Sequence, residues 1–182
     1  CTITYIVEQD GRVTMQLSYT AVAELPAMPE FGFLFEMNPV FHHCQWYGLG
    51  PEETYCDRCS GAKLGIWQNR VEDNMARYLR PQECGNHTGV RWAQITRADG
   101  FGLEFEADTP MDFSVLPYTP HELENADHRY MLPREGGKTV VRAALRQIGV
   151  GGDNTWGAYT HDEYLIHPVP GQPLRFTLHL SP

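Results

Sequence analysis

Apolar and polar side chains alternate through most of this chain, the period of a half-buried strand rather than of a helix. Ile3, Tyr5 and Val7 share one face, and Val13, Met15, Leu17 and Tyr19 repeat the pattern. Between them Asp10-Gly11 supplies the positive-φ corner of a tight connection, so the two runs read as a hairpin. Strand-like runs recur at residues 31–37, 41–47, 90–96, 102–106, 112–116, 139–148 and 174–180. Prolines (13) and glycines (17) separate them, which suits many short strands. One helix start stands out. Thr119-Pro120-His121-Glu122 sets a capping threonine before a first-turn proline, with glutamate at the third helical position, and the helix should end near Asp127. The pattern predicts an all-β fold, a sandwich of two large antiparallel sheets with one short helix. Residues 48–89 lack alternation for about 40 positions, and a loop of that length is functional or packed against something else.

The chain has 182 residues, long enough for a core without staples, and residues 1–182 are expected to form one domain. Its hydrophobic share, 42%, and charged share, 20%, exclude a disordered chain. Acidic side chains (23) outnumber basic ones (14), and the basic ones are scattered singly, so no nucleic-acid partner is expected. No apolar run has the roughly 20 residues of a membrane span. The five cysteines make an odd, sparse set that fits a reducing compartment, hence a cytoplasmic location. Beginning at Cys1, the chain reads as an excised or processed piece.

Four places in the chain carry candidate chemistry. The loop Gly149-Val150-Gly151-Gly152-Asp153-Asn154-Thr155-Trp156-Gly157 lacks the third glycine of a dinucleotide fingerprint and the spaced acids of a calcium loop. It remains a tight glycine loop carrying an indole. A tryptophan is more often core than contact, yet small and polar neighbours leave little here to bury it, and a flat ring on a loop suits sugar stacking. Cys56-x2-Cys59 and Cys84-x2-His87 have the spacing of a three-Cys, one-His zinc site, though the two pairs are far apart and buried cysteines also pack as small hydrophobes. His42 and His43 are adjacent and would point to opposite faces of a strand. Glu52 and Glu53 diverge in the same way, so one is expected to bond backbone or Arg58 rather than flank a glycosidic bond.

Four ordered segments carry a likeness. Trp46-Tyr47-Gly48-Leu49-Gly50-Pro51-Glu52-Glu53-Thr54-Tyr55-Cys56-Asp57-Arg58 resembles the W-Y-G-x-G-P-x-E-x-Y-x-D-R segment of the large lac-type β-galactosidases. Pro81-Gln82-Glu83-Cys84-Gly85, with Gly89-Val90-Arg91-Trp92 after it, is similar to that family's P-x-E-x-G segment and following strand. Leu123-Glu124-Asn125-Ala126-Asp127-His128 resembles its L-x-x-A-x-H helix, and the loop from Gly149 to Trp156 its G-x-G-G-D-x-x-W loop. The resemblance is to the C-terminal domain, which in some bacteria is the bulk of a separate small subunit.

The resemblance implies a large antiparallel supersandwich related to aldose mutarotases. It implies a non-catalytic part of a retaining enzyme that hydrolyses terminal β-D-galactosides such as lactose. Both catalytic glutamates would belong to a (β/α)8 barrel outside this chain. It implies that Trp156 stacks on incoming sugar at the mouth of that barrel. Gly149, Gly151 and Gly152 would let the loop turn, with Asp153 bonding the loop's own amides. Glu52, Tyr55, Asp57 and Arg58 would form a loop facing the barrel, ordered by an Asp57–Arg58 bond. The implied partners are the remaining domains or large subunit, in an oligomeric parent, and the galactoside. The parent's Mg and Na would be bound mainly elsewhere, with no cofactor in this domain. The alternatives are a stand-alone carbohydrate-binding module, or a mutarotase-like activity using His128 and a nearby glutamate.

Overall fold

The computed structural model describes residues 1–134 and 137–182. Among the described residues there are nine antiparallel strands: β1 Thr2–Val7, β2 Val13–Thr20, β3 Glu30–Met37, β4 His43–Gly50, β5 Lys63–Arg70, β6 Asn86–Thr96, β7 Gly102–Leu116, β8 Thr139–Gln147 and β9 Pro173–Ser181. The fold is all-β, as its period of two requires. β1 and β2 pair from Val7↔Val13 to Thr2↔Ser18 across Gly11, whose φ is 90°. β1 is an edge strand with every residue exposed, because nothing described stacks over Ile3, Tyr5 and Val7.

All nine strands join one hydrogen-bonded network, in the order β1-β2-β9-β7-β6-β4-β5, with β8 and β3 branching off β7. β7 makes the branch possible. Along one edge its Glu104–Ala107 stretch pairs with β9, and its later residues, Asp112 to Leu116, pair with β8. The two branches then converge on one core, where Phe33 of β3 meets Phe176 of β9 with ring centroids 5.9 Å apart. Trp46, Ile95, Phe105, Phe113, Val141 and Leu178 fill the rest of it. Each fully buried large apolar side chain of this kind contributes about 1.5–3 kcal/mol.

The stretch 48–89 is not a bare loop. It holds β5 and a 3-10 turn, Val71–Asn74, and its later residues Met75, Ala76, Tyr78 and Cys84 pack with Leu116 of β7. There Cys84, Leu116, Tyr118, Leu123, Ala126 and Leu132 form a second cluster. Six consecutive residues, Met111 to Leu116, are consequently buried, since this half of β7 is covered on both faces. The short helix α1, Pro120–Glu124, carries the expected capping box between Thr119 and Glu122 and contributes Leu123 to that cluster. Among the described residues no helix is long and apolar enough to cross a membrane.

Candidate functional site: a raised indole loop and the segment beneath it

β8 ends at Gln147, and the chain then leaves the sheet. Gly149 N donates to Tyr164 O at 3.1 Å, closing the base of a loop that runs out and back. At its tip Trp156 is 93% exposed, so the ring faces solvent rather than the core. Asn154 Oδ1 accepts from Trp156 N at 2.8 Å, a local turn that sets the backbone under the indole. Thr160 Oγ1 lies 3.0 Å from both Gly149 O and Gly151 O, tying the returning strand of the loop to the outgoing one.

The glycines serve close approach more than unusual dihedrals. A Cβ on Gly149 would sit 2.5 Å from Asp57 Oδ2 and 2.8 Å from Thr160 Cγ2. One on Gly152 would collide with the carbonyl of Ala158. The positive φ in the loop, 100°, falls instead at Gly157.

The resemblance implied that Asp153 bonds the loop's own amides; among the described residues its partner is instead His161. Its carboxylate faces His161 Nε2 at 3.0 and 3.1 Å, because the loop folds the imidazole back over it. That hydrogen bond raises the His161 pKa above its ordinary value. Tyr159, 92% exposed, is a second open aromatic on the same loop. Only its place three residues after Trp156 marks it in the sequence.

The segment 52–58 seats this loop, though not through an Asp57–Arg58 bond. Arg58 pairs with Glu53, whose other oxygen accepts from Gly85 N at 2.7 Å, while Tyr78 OH donates to Glu53 Oε1 at 2.5 Å. Arg58 Nη1 also donates to Tyr78 OH at 3.1 Å. Glu53 wins Arg58 because Asp57 is engaged elsewhere: its Oδ2 accepts from Gly151 N at 2.7 Å. Tyr55 is buried and donates to Glu83 Oε1 at 3.1 Å. Glu83 in turn clasps the buried guanidinium of Arg142. Glu52 stands exposed on a cleft of about 650 Å³ that Asp57, Arg58 and Cys59 also line.

The zinc spacing is not realised. Among the described residues no three His, Cys, Asp or Glu side chains converge as metal ligands. Cys56 Sγ points to Gln147 O at 3.6 Å, and burial pushes the Cys84 thiol up to about 12 within the second apolar cluster. His87 stacks on Trp46 with centroids 4.0 Å apart. His128 stacks on Tyr130 beside a cleft of about 640 Å³, and among the described residues that line it there is no carboxylate.

Residues 1–180 match the family described as "Beta galactosidase small chain". The chain is 43% identical to a "Beta-galactosidase" of Priestia megaterium, over 98% of its own length but 17% of that protein's. It is 40% identical to one of Streptococcus thermophilus, over 97% of itself and 17% of the relative. Against a "Beta-galactosidase small subunit" of Latilactobacillus sakei the identity is 32%, over 97% of the chain and 58% of that subunit. The chain thus spans about a sixth of the first two relatives. A family match over residues 1–180 settles the assignment: the chain belongs to the β-galactosidase small-chain family.

Proposed function

We propose that residues 1–182 act as one non-catalytic C-terminal domain of a retaining β-galactosidase acting on terminal β-D-galactosides such as lactose. In this reading the domain completes the substrate pocket of a barrel that lies elsewhere in the enzyme and carries the acid and the nucleophile. The exposure of Trp156, 93%, on a loop tethered at both ends carries the reading. An open indole has nothing of its own chain to stack on, and its face suits the polarised C–H groups of a sugar ring. Tethering keeps the ring in one place, so the entropy of ordering it is met on folding rather than on substrate binding. The remaining domains or large subunit and the galactoside are the partners, in an oligomeric parent. The five free cysteines suit a reducing cytoplasm.

In the whole enzyme, Trp156→Ala is expected to raise KM for lactose about fivefold, the value of a lost stacking contact, with kcat much less affected. Initial rates over a range of lactose concentrations check this. An unchanged KM, or lactose hydrolysis by the 182-residue chain alone, would overturn the reading.

A further inference from the structure

The loop that carries Trp156 and the segment 52–58 meet at one carboxylate, although 94 residues separate Asp57 from Gly151. Asp57 Oδ2 accepts the Gly151 amide at 2.7 Å, and Gly149 lies so close that a Cβ there would touch the same oxygen at 2.5 Å. The neighbouring residue grips the loop's two ends: Cys56 Sγ lies 3.6 Å from Gln147 O and 3.9 Å from Tyr164 O. Segment 52–58 is itself fixed from the other side by the Glu53, Arg58 and Tyr78 cluster. A carboxylate accepting a backbone amide makes a stronger bond than a neutral acceptor does. The other contacts on the loop are weaker anchors. Thr160 divides one hydroxyl proton between two carbonyls, and Asp153 and His161 are both open to solvent.

We propose that Asp57 is the positioning residue of the galactoside site: it never touches sugar, but it holds the Gly149–Gly152 backbone at the height that places the Trp156 ring for stacking. This rests on the reading of Trp156 given above. The bareness of Gly149 then has a purpose, since that is where the carboxylate must approach. Asp57 Oδ1 is buried with no hydrogen-bond partner, so only one oxygen is needed, and an amide in the same place keeps that acceptor.

The test uses the whole β-galactosidase carrying Asp57→Ala, Asp57→Asn, Trp156→Ala and the double substitution Asp57→Ala with Trp156→Ala. Deuterium uptake by peptides spanning residues 149–160 should rise in Asp57→Ala and stay near wild type in Asp57→Asn. KM for lactose should rise about fivefold in Asp57→Ala with kcat nearly unchanged, as for loss of the stack itself. In the double variant KM should be no higher than in Trp156→Ala, because a misplaced ring and a missing one lose the same contact. Unchanged uptake in Asp57→Ala, failure of Asp57→Asn to restore it, or additive KM penalties would each overturn the proposal. If Trp156→Ala leaves KM untouched, the stacking reading fails by itself, and the uptake data still decide whether Asp57 holds the loop.

Discussion

Replacing Arg142 with alanine is expected to remove about 3–5 kcal/mol of folding stability, the cost of stranding a partly buried carboxylate. Arg142 is 6% exposed on β8, where Nε donates to Ser114 Oγ at 2.9 Å and Nη1 to Glu83 Oε2 at 2.8 Å. The second guanidinium nitrogen, Nη2, bonds the other Glu83 oxygen, so the pair is bidentate. Glu30 stands 3.5 Å from Nη1, and burial already raises its pKa. Without Arg142, two carboxylates share a poorly solvated site with no cation between them. The loss reaches the loop segment too, because Glu83 also receives the Tyr55 hydroxyl. The joint change Arg142→Met with Glu83→Gln keeps an acceptor for Tyr55 and removes both charges, so it should recover much of the stability. Urea midpoints at constant m-value compare both variants with wild type. A double variant as unstable as Arg142→Ala would show that packing around the arginine, not the stranded charge, sets the cost.

That network explains what the sequence hides. Strands whose inward face alone is apolar were legible from alternation, and β2, β3, β8 and β9 fall within two residues of their expected ends. β5 was not, because Leu64 and Ile66 are outward and exposed whereas the inward face carries Gly65, Trp67 and Asn69. Apolar residues on both faces leave no period to detect. β7 reads as two runs because Pro110 interrupts it. Residues 108–110 fall between the stretch paired with β9 and the stretch paired with β8, so the missing proline N–H costs no ladder bond there. In the site, residue type alone favours a buried Trp156, and it is the family resemblance that points to the open ring the structure has. The partners of Asp57, Asp153 and Arg58 follow from neither, since each is chosen by distance in space among several acids and bases of similar reach.

The second large effect is on pH dependence, where two buried groups pull in opposite directions. His87 is 3% exposed, stacks on Trp46, and lies 3.5 Å from Asn74 Oδ1; burial lowers its pKa from 6.5 to about 4. Between those values the unfolded chain binds the proton and the folded chain does not. The His87 contribution is therefore fully present above pH 6.5 and is lost as pH falls towards 4, by about 3 kcal/mol in all. Asp112, whose Oδ2 accepts from Gln147 N at 2.8 Å at the foot of the indole loop, is raised by burial from 3.8 to about 6. Here the folded chain holds the proton between pH 3.8 and 6, so stability falls as pH rises through that window, again by about 3 kcal/mol. The windows overlap almost entirely, and the two slopes nearly cancel in the wild-type chain. Removing either group exposes the other. His87→Gln should be stabilised at pH 4 relative to pH 7, measured against wild type, by about 3 kcal/mol, and Asp112→Asn should show the reverse sign. Urea denaturation of the three chains at pH 4, 5.5 and 7 reads the difference directly, and parallel pH profiles for wild type and both variants would mean that neither group keeps its unusual protonation state in the fold.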